Sequence, residues 1–224
     1  MRFVLGKPAL KIGKTLIIAD LHLGIELELR EAGIRIPSQR REMAEKIREI
    51  LNMTGCKDLL ILGDLKHKIP GMGKRELAEI SRFISDIKCP IRLIPGNHDG
   101  GIKRITEQNL EILPTKGIEN GDTWFCHGHA KPDKKAWTMK RIVIAHSHPV
   151  FEFKDTLGYT WTEPVWVIAR QRPEIVIIPA FNHWAGGLAV NKKALLGPVA
   201  KRIKSFELYL LDGTLLGRFR PHLQ

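Results

Sequence analysis

Leu16-Ile17-Ile18-Ala19-Asp20-Leu21-His22-Leu23-Gly24 is the stretch from which the fold can be read. Four apolar residues, the length of a short buried strand, run directly into an aspartate and a histidine two positions apart. The same order of apolar run, turn and metal-type ligand returns four times. Residues 59–62 run into Gly63-Asp64-Leu65-Lys66-His67, and residues 91–94 into Pro95-Gly96-Asn97-His98-Asp99. Residues 124–126 run into His127-Gly128-His129, and residues 142–145 into His146-Ser147-His148-Pro149. Only His183 and His222, of the 9 histidines, stand outside these motifs. Carboxylate, amide and imidazole donors gathered at strand ends describe a two-metal hydrolytic centre better than scattered core histidines.

Between the motifs the periodicity changes. Ser38 is placed to cap a helix running to about residue 53, with Met43, Ile47, Ile50 and Leu51 as one apolar stripe. Pro70-Gly71-Met72-Gly73 reads as a flexible break before a second helix over 74–87, whose buried side carries Leu77, Ile80, Phe83, Ile84 and Ile87. Beyond Asp122 the strand pattern dominates, over 124–126, 142–145, 165–169, 175–178 and 206–211, and Asp212-Gly213 turns the last of these into a hairpin with 214–219. This is one layered α/β domain over residues 1–224, without repeat or linker. In such sheets ligands collect outside the carboxyl ends of the strands. On an extended strand end, residues two apart share a side, so Asp20 with His22 and His146 with His148 would each face one cleft.

Composition bounds the rest. A chain of 224 residues with 43% hydrophobic content can bury a substantial core. No apolar run approaches the roughly 20 residues of a membrane span, and the first residues are too short in their apolar part for a signal peptide. A cytoplasmic location is expected. Cys56, Cys89 and Cys126 form no paired framework and match no zinc spacing, so reduced thiols are expected. Cys126 adjoins His127 and is either a soft ligand or a buried strand-end thiol. The net charge of +12, from 36 basic and 24 acidic residues, favours a polyanionic partner, nucleic acid above all. A surface built for solubility and ion pairs gives the same balance.

Asp-x-His, Gly-Asp, Gly-Asn-His-Asp, His-Gly-His and His-x-His, in that order over residues 16–149, resemble the calcineurin-like metallophosphoesterase superfamily. Gly63-Asp64-Leu65-Lys66-His67 is similar to the SbcD-type repair nucleases, and Ile178-Pro179-Ala180-Phe181 with Gly186-Gly187 looks like their small single-domain relatives. The resemblance implies a four-layer α/β/β/α sandwich with two mixed sheets flanked by helices. It implies two divalent ions, Mn²⁺ first and Fe or Zn²⁺ as alternatives. Asp64 would bridge them, with Asp20, His22 and His148 on one ion and Asn97, His127 and His146 on the other. His98 would be the general acid or phosphate-orienting group, Asp99 would fix its tautomer, and His67 would help to place a phosphodiester, unless it is only an exposed loop histidine.

Outside that set, His129 either touches substrate or caps its loop, and His183 reads as a loop residue packed beside Trp184. The segment Lys131-Pro132-Asp133-Lys134-Lys135-Ala136-Trp137 carries lysines and an aromatic ring between the two histidine motifs, which makes it the candidate for backbone contact and base stacking. Three functions fit: a phosphodiesterase acting on DNA in repair, a small-molecule phosphodiesterase or phosphatase, and a catalytically silent interaction scaffold. Every expected ligand position is filled, which argues against the last. The larger SbcD-type enzymes continue into a DNA-capping region and a segment that docks a coiled-coil ATPase, so such an ATPase is not an expected partner.

Overall fold

The apolar runs become the strands that the motifs terminate. The computed structural model describes residues 1–68 and 73–221, so the expected break at Pro70-Gly71-Met72 lies outside the described residues. In chain order the elements are β1 (Arg2–Phe3), β2 (Leu10–Ile12), β3 (Thr15–Ile18), α1 (Ile25–Glu31), α2 (Arg40–Thr54), β4 (Asp58–Leu62), α3 (Lys74–Ile87), β5 (Ile91–Ile94) and β6 (Leu110–Ile112). There follow β7 (Ile118–Asn120), β8 (Thr123–Phe125), β9 (Arg141–Ile144), β10 (Pro149–Lys154), β11 (Thr160–Ala169), β12 (Glu174–Ile177), β13 (Leu188–Ala189), β14 (Phe206–Leu210) and β15 (Leu215–Phe219). One sheet has the order β1-β2-β3-β4-β5-β6; the other runs β13-β10-β11-β12-β9-β8-β7, with β14 joined to β11 and β15 to β14. Both sheets are mixed, and β3, β4 and β5 in the first and β8, β9 and β12 in the second are parallel.

The period-two alternation of strand side chains sorts residues into layers. In β4, Leu59 and Ile61 face the α2 and α3 side chains, while Leu60 and Leu62 face the second sheet. In β9, Val143 meets them between the sheets, and Ile142 and Ile144 point outward. Helix α2 buries Met43, Ala44, Ile47, Ile50 and Leu51 and ends at Gly55 in the left-handed conformation, whose amide bonds back to Asn52 O and Leu51 O. The methionine, isoleucine and leucine side chains among them each contribute about 1.5–3 kcal/mol of transfer free energy when fully buried. The cap differs from expectation: Gln39 holds that position without a side-chain bond, and Ser38 lies one residue too early.

The outer face of the second sheet is closed by 3-10 turns. Ala136 from Lys134–Thr138, Ala200 from Ala200–Arg202, and Val199, Leu195 and Ile203 beside the latter complete its core. The layer on this side is therefore built of short 3-10 turns. Among the described residues, no helix is long and apolar enough to cross a membrane.

Candidate metal centre

The parallel strands deliver their motifs to one end of the sandwich. Asp20 and His22 follow β3, Asp64 follows β4, Asn97 and His98 follow β5, His127 follows β8, and His146 and His148 follow β9. Backbone bonds lock these loops together: Asp20 N donates to Gly63 O (3.2 Å), His22 N to Asp64 O (2.8 Å), and Asn182 N to Asp20 O (3.3 Å).

Asp64 sits at the middle. Its Oδ1 accepts from His98 N at 2.9 Å, and its Oδ2 lies 3.7 Å from His22 Nε2 and 3.3 Å from His127 Nε2. Two donor groups meet there. Asp20, His22, Asp64 and His148 each offer an atom within 4.8 Å of the others, and Asp64, His127 and His146 do the same. Asn97 Oδ1 joins the second group at 3.2 Å from His127 Nε2. Gly96 permits this convergence, because a Cβ there would stand 2.1 Å from Asp64 Oδ1.

The local backbone overturns one reason given for the pairing of ligands. Asp20 (φ 55°), His22 (φ 45°), Asp64 (φ 50°), His146 (φ 69°) and His148 (φ 39°) all lie in the left-handed region. They converge through strained turns and not by alternation along a strand. A left-handed L-residue costs roughly 1–2 kcal/mol, and such outliers collect where the surrounding structure holds a functional geometry.

These donors fit a cation. Asp20 Oδ1 is buried without a hydrogen-bond partner, and the Nε2 atoms of His22 and His148 face each other at 3.2 Å. The donor set is oxygen and imidazole nitrogen, suited to Mn²⁺, Fe or Zn²⁺. Burial lowers His22 to about 3, with the neighbouring His148 and His98 acting the same way against the pull of Asp64 and Asp20. Burial likewise lowers His146 to about 4. Both imidazoles are thus neutral at pH 7, as ligation requires. Burial would lower His127 too, but its contact with Asp64 and the charge of Asp20 outweigh this and raise it to about 9. His127 Nδ1 donates to Leu62 O at 2.8 Å, which turns Nε2 towards Asp64 and Asn97.

Other residues take different places from those expected. Asp99 does not orient His98: its carboxylate accepts from Gly96 N (2.8 Å) and Lys66 N (3.3 Å), clamping two loops. His98 Nδ1 instead bonds to His67 O, which leaves Nε2 free of that contact. His67 does lie in the cluster, grouped with His22 and His98. Its Nε2 is 2.9 Å from Glu28, a residue the sequence reading missed. His129 is half-buried, its ring centroid 5.1 Å from that of His127. His183 stands beside Trp184 in a 3-10 turn and joins no donor group among the described residues. Cys126 is also outside those groups, and burial pushes its thiol up to about 12. The Lys131 to Trp137 segment does not offer a free ring: Arg202 lies 4.1 Å over Trp137, and Lys135 pairs with Glu119. That turn also precedes β9, at the strand end opposite the ligands.

Imidazole and carboxylate donors at the carboxyl ends of two packed mixed sheets define a metal-dependent hydrolase. The chain belongs to the calcineurin-like phosphoesterase family, whose pattern matches residues 13–187, and it is accordingly a hydrolase acting on ester bonds. The family uses divalent metals, and the two donor groups around Asp64 are able to hold them. Among solved structures, a nuclease MPE from Pseudomonas putida is similar at 20% identity and a TM-score of 0.56, over 89% of this chain and 85% of that one. Yfce, a phosphoesterase from E. coli, aligns at 14% identity and a TM-score of 0.47, over 93% of this chain and 99% of its own. No curated protein sequence matches.

Proposed function

We propose that the protein is a two-metal phosphodiesterase that cleaves nucleic acid, DNA first, as a cytoplasmic nuclease of the repair type related to the small SbcD-like enzymes. The observation that carries the two-metal reading is the position of Asp64 Oδ2 between His22 Nε2 and His127 Nε2, with a separate donor group on each side. Asp20, His22, Asp64 and His148 would hold one ion, and Asp64, Asn97, His127 and His146 the other, with Mn²⁺ the first candidate. Two ions so held supply Lewis acidity that lowers the pKa of water and offsets charge developing on phosphorus.

The chain's own groups complete the chemistry. His98 is anchored through Nδ1 to the His67 carbonyl, so in its cationic form it presents Nε2–H to a phosphoryl or leaving oxygen. Asp99 holds the loop that carries His98. The nucleic-acid reading is supported by the net charge of +12. It is also supported by Trp184, which is 43% exposed and lies in the turn just before Leu188, whose amide donates to His148 O at 3.0 Å. An aromatic face beside the ligands suits base stacking.

The test assays Mn²⁺-loaded protein on labelled single- and double-stranded DNA and on an aryl phosphodiester, with His98→Ala and Asp64→Ala beside it. DNA cleavage that both substitutions abolish supports the reading, and its binding should weaken steeply with salt. Hydrolysis of the aryl ester alone reassigns the protein to small-molecule esters. Inactivity on all substrates with ions bound points to a scaffold.

A further inference from the structure

His67 has two ring contacts that together define its role. Its Nε2 lies 2.9 Å from Glu28 Oε2, and its Nδ1 lies 3.2 Å from Nδ1 of His22. A carboxylate only accepts, so Nε2 of His67 carries the proton and donates to Glu28. In the neutral ring Nδ1 is then an acceptor, and it takes the Nδ1–H of His22. That assignment leaves the lone pair of His22 on Nε2, the atom that faces Asp64 Oδ2 at 3.7 Å and His148 Nε2 at 3.2 Å. Each imidazole donates once and accepts or ligates once.

We infer that Glu28 and His67 form a positioning relay that fixes the tautomer and ring orientation of His22 as a metal ligand. The inference rests on the two-metal reading and deepens it. His67 thereby acts through His22, a different task from placing substrate. Metal-bound histidines commonly donate their second ring proton to a carboxylate or carbonyl, and loss of that partner typically weakens metal affinity 10–100-fold. Here a second histidine extends the connection. Helix α1 begins at Ile25, three residues past His22, and its first turn carries Glu28 back over the loop. His67 arrives from the loop after β4, where its amide donates to Leu23 O at 3.0 Å. The relay thus joins the same two loops that bring Asp20 and His22 to Asp64.

The Glu28 side chain is 66% exposed, so its removal should leave the fold intact. Glu31, on the same helix and paired with Lys68 at 3.4 Å, carries the same charge without touching His67 and serves as the control. Mn²⁺ is titrated into wild-type protein and into Glu28→Ala, Glu28→Gln and Glu31→Ala. Wild type should bind two ions. Glu28→Ala should bind one of them about tenfold more weakly, while Glu28→Gln, whose amide oxygen still accepts the bond, and Glu31→Ala should stay within about threefold of wild type on the same scale.

In Zn²⁺-loaded protein, imidazole ¹⁵N spectra should show His22 protonated at Nδ1 and His67 at Nε2, with the His67 tautomer lost in Glu28→Ala. Unchanged affinity for both ions in Glu28→Ala, equal loss in Glu31→Ala, or a third ion bound between His22 and His67 overturns the relay and leaves the two-metal reading standing. Wild-type protein that takes up no Mn²⁺ overturns the two-metal reading and the relay with it.

Discussion

His146 offers a way to measure the strain built into the ligand turns. Its φ of 69° is a conformation that glycine adopts freely and alanine does not. His146→Gly and His146→Ala both remove the imidazole and its potential ligation, so the difference between them isolates the backbone. A left-handed L-residue costs roughly 1–2 kcal/mol. Glycine returns about 0.4–1 kcal/mol of this through the greater entropy of its unfolded chain. The net expectation is that the glycine variant is more stable by about 1 kcal/mol, or about 2–4 °C in Tm for a chain of this size. The assay is thermal or urea unfolding in the presence of a chelator, so that ion binding does not contribute. An alanine variant as stable as the glycine variant, or more stable, would refute the argument that this turn stores strain. In that case the left-handed φ of His146 would be a relaxed turn and not a geometry held for its ligand.

Other consequences of the geometry can be measured directly. Gly96→Ala puts a Cβ where Asp64 Oδ1 stands, 2.1 Å away, so it should displace the carboxylate and weaken Mn²⁺ uptake more than tenfold, on the order of losing a ligand's support; calorimetric titration reads this. Because contact with Asp64 and the charge of Asp20 raise His127 to about 9, an ion that takes its Nε2 should displace a proton. Affinity should therefore rise with pH between 7 and 9, by up to about tenfold per unit, and level off above; titrations in buffers of different ionisation enthalpy should count about one proton released. Chelation should lower Tm in a concentration-dependent way, since free Mn²⁺ at 100 times its Kd stabilises by about 2.7 kcal/mol per site. A Tm indifferent to Mn²⁺ would mean that these donors bind it no better folded than unfolded.

The gathering of these donors at one end of the sandwich was legible in the sequence because each motif follows an apolar run of strand length, and parallel strands have only one end at which to gather them. Residues 59–62 and 142–145 alternate between two apolar layers, so nothing in them competes with the reading of a buried strand. The second sheet was less legible. The β10–β11 hairpin was left unassigned although Phe151 and Phe153 alternate with Glu152 and Lys154. Trp137 shows the opposite error: proximity to lysines suggested a free stacking ring, and only the packing revealed Arg202 above it.

Glu28 is the more instructive omission. A glutamate on a short, mostly exposed helix looks like any solvated charge, and its spacing from His22 matches no ligand pattern. What gives it a role is the angle at which α1 leaves the His22 turn, set by Gly24 in the left-handed conformation at φ 92°. The donors that would touch the ions are constrained by strand ends and appear as motifs. The groups that orient those donors depend on how two loops cross, and a crossing has no period for a sequence to display. His67 belongs to both kinds: its place in Gly-Asp-Leu-Lys-His announced it, while its partner decides whether it faces the substrate or the ligand behind it.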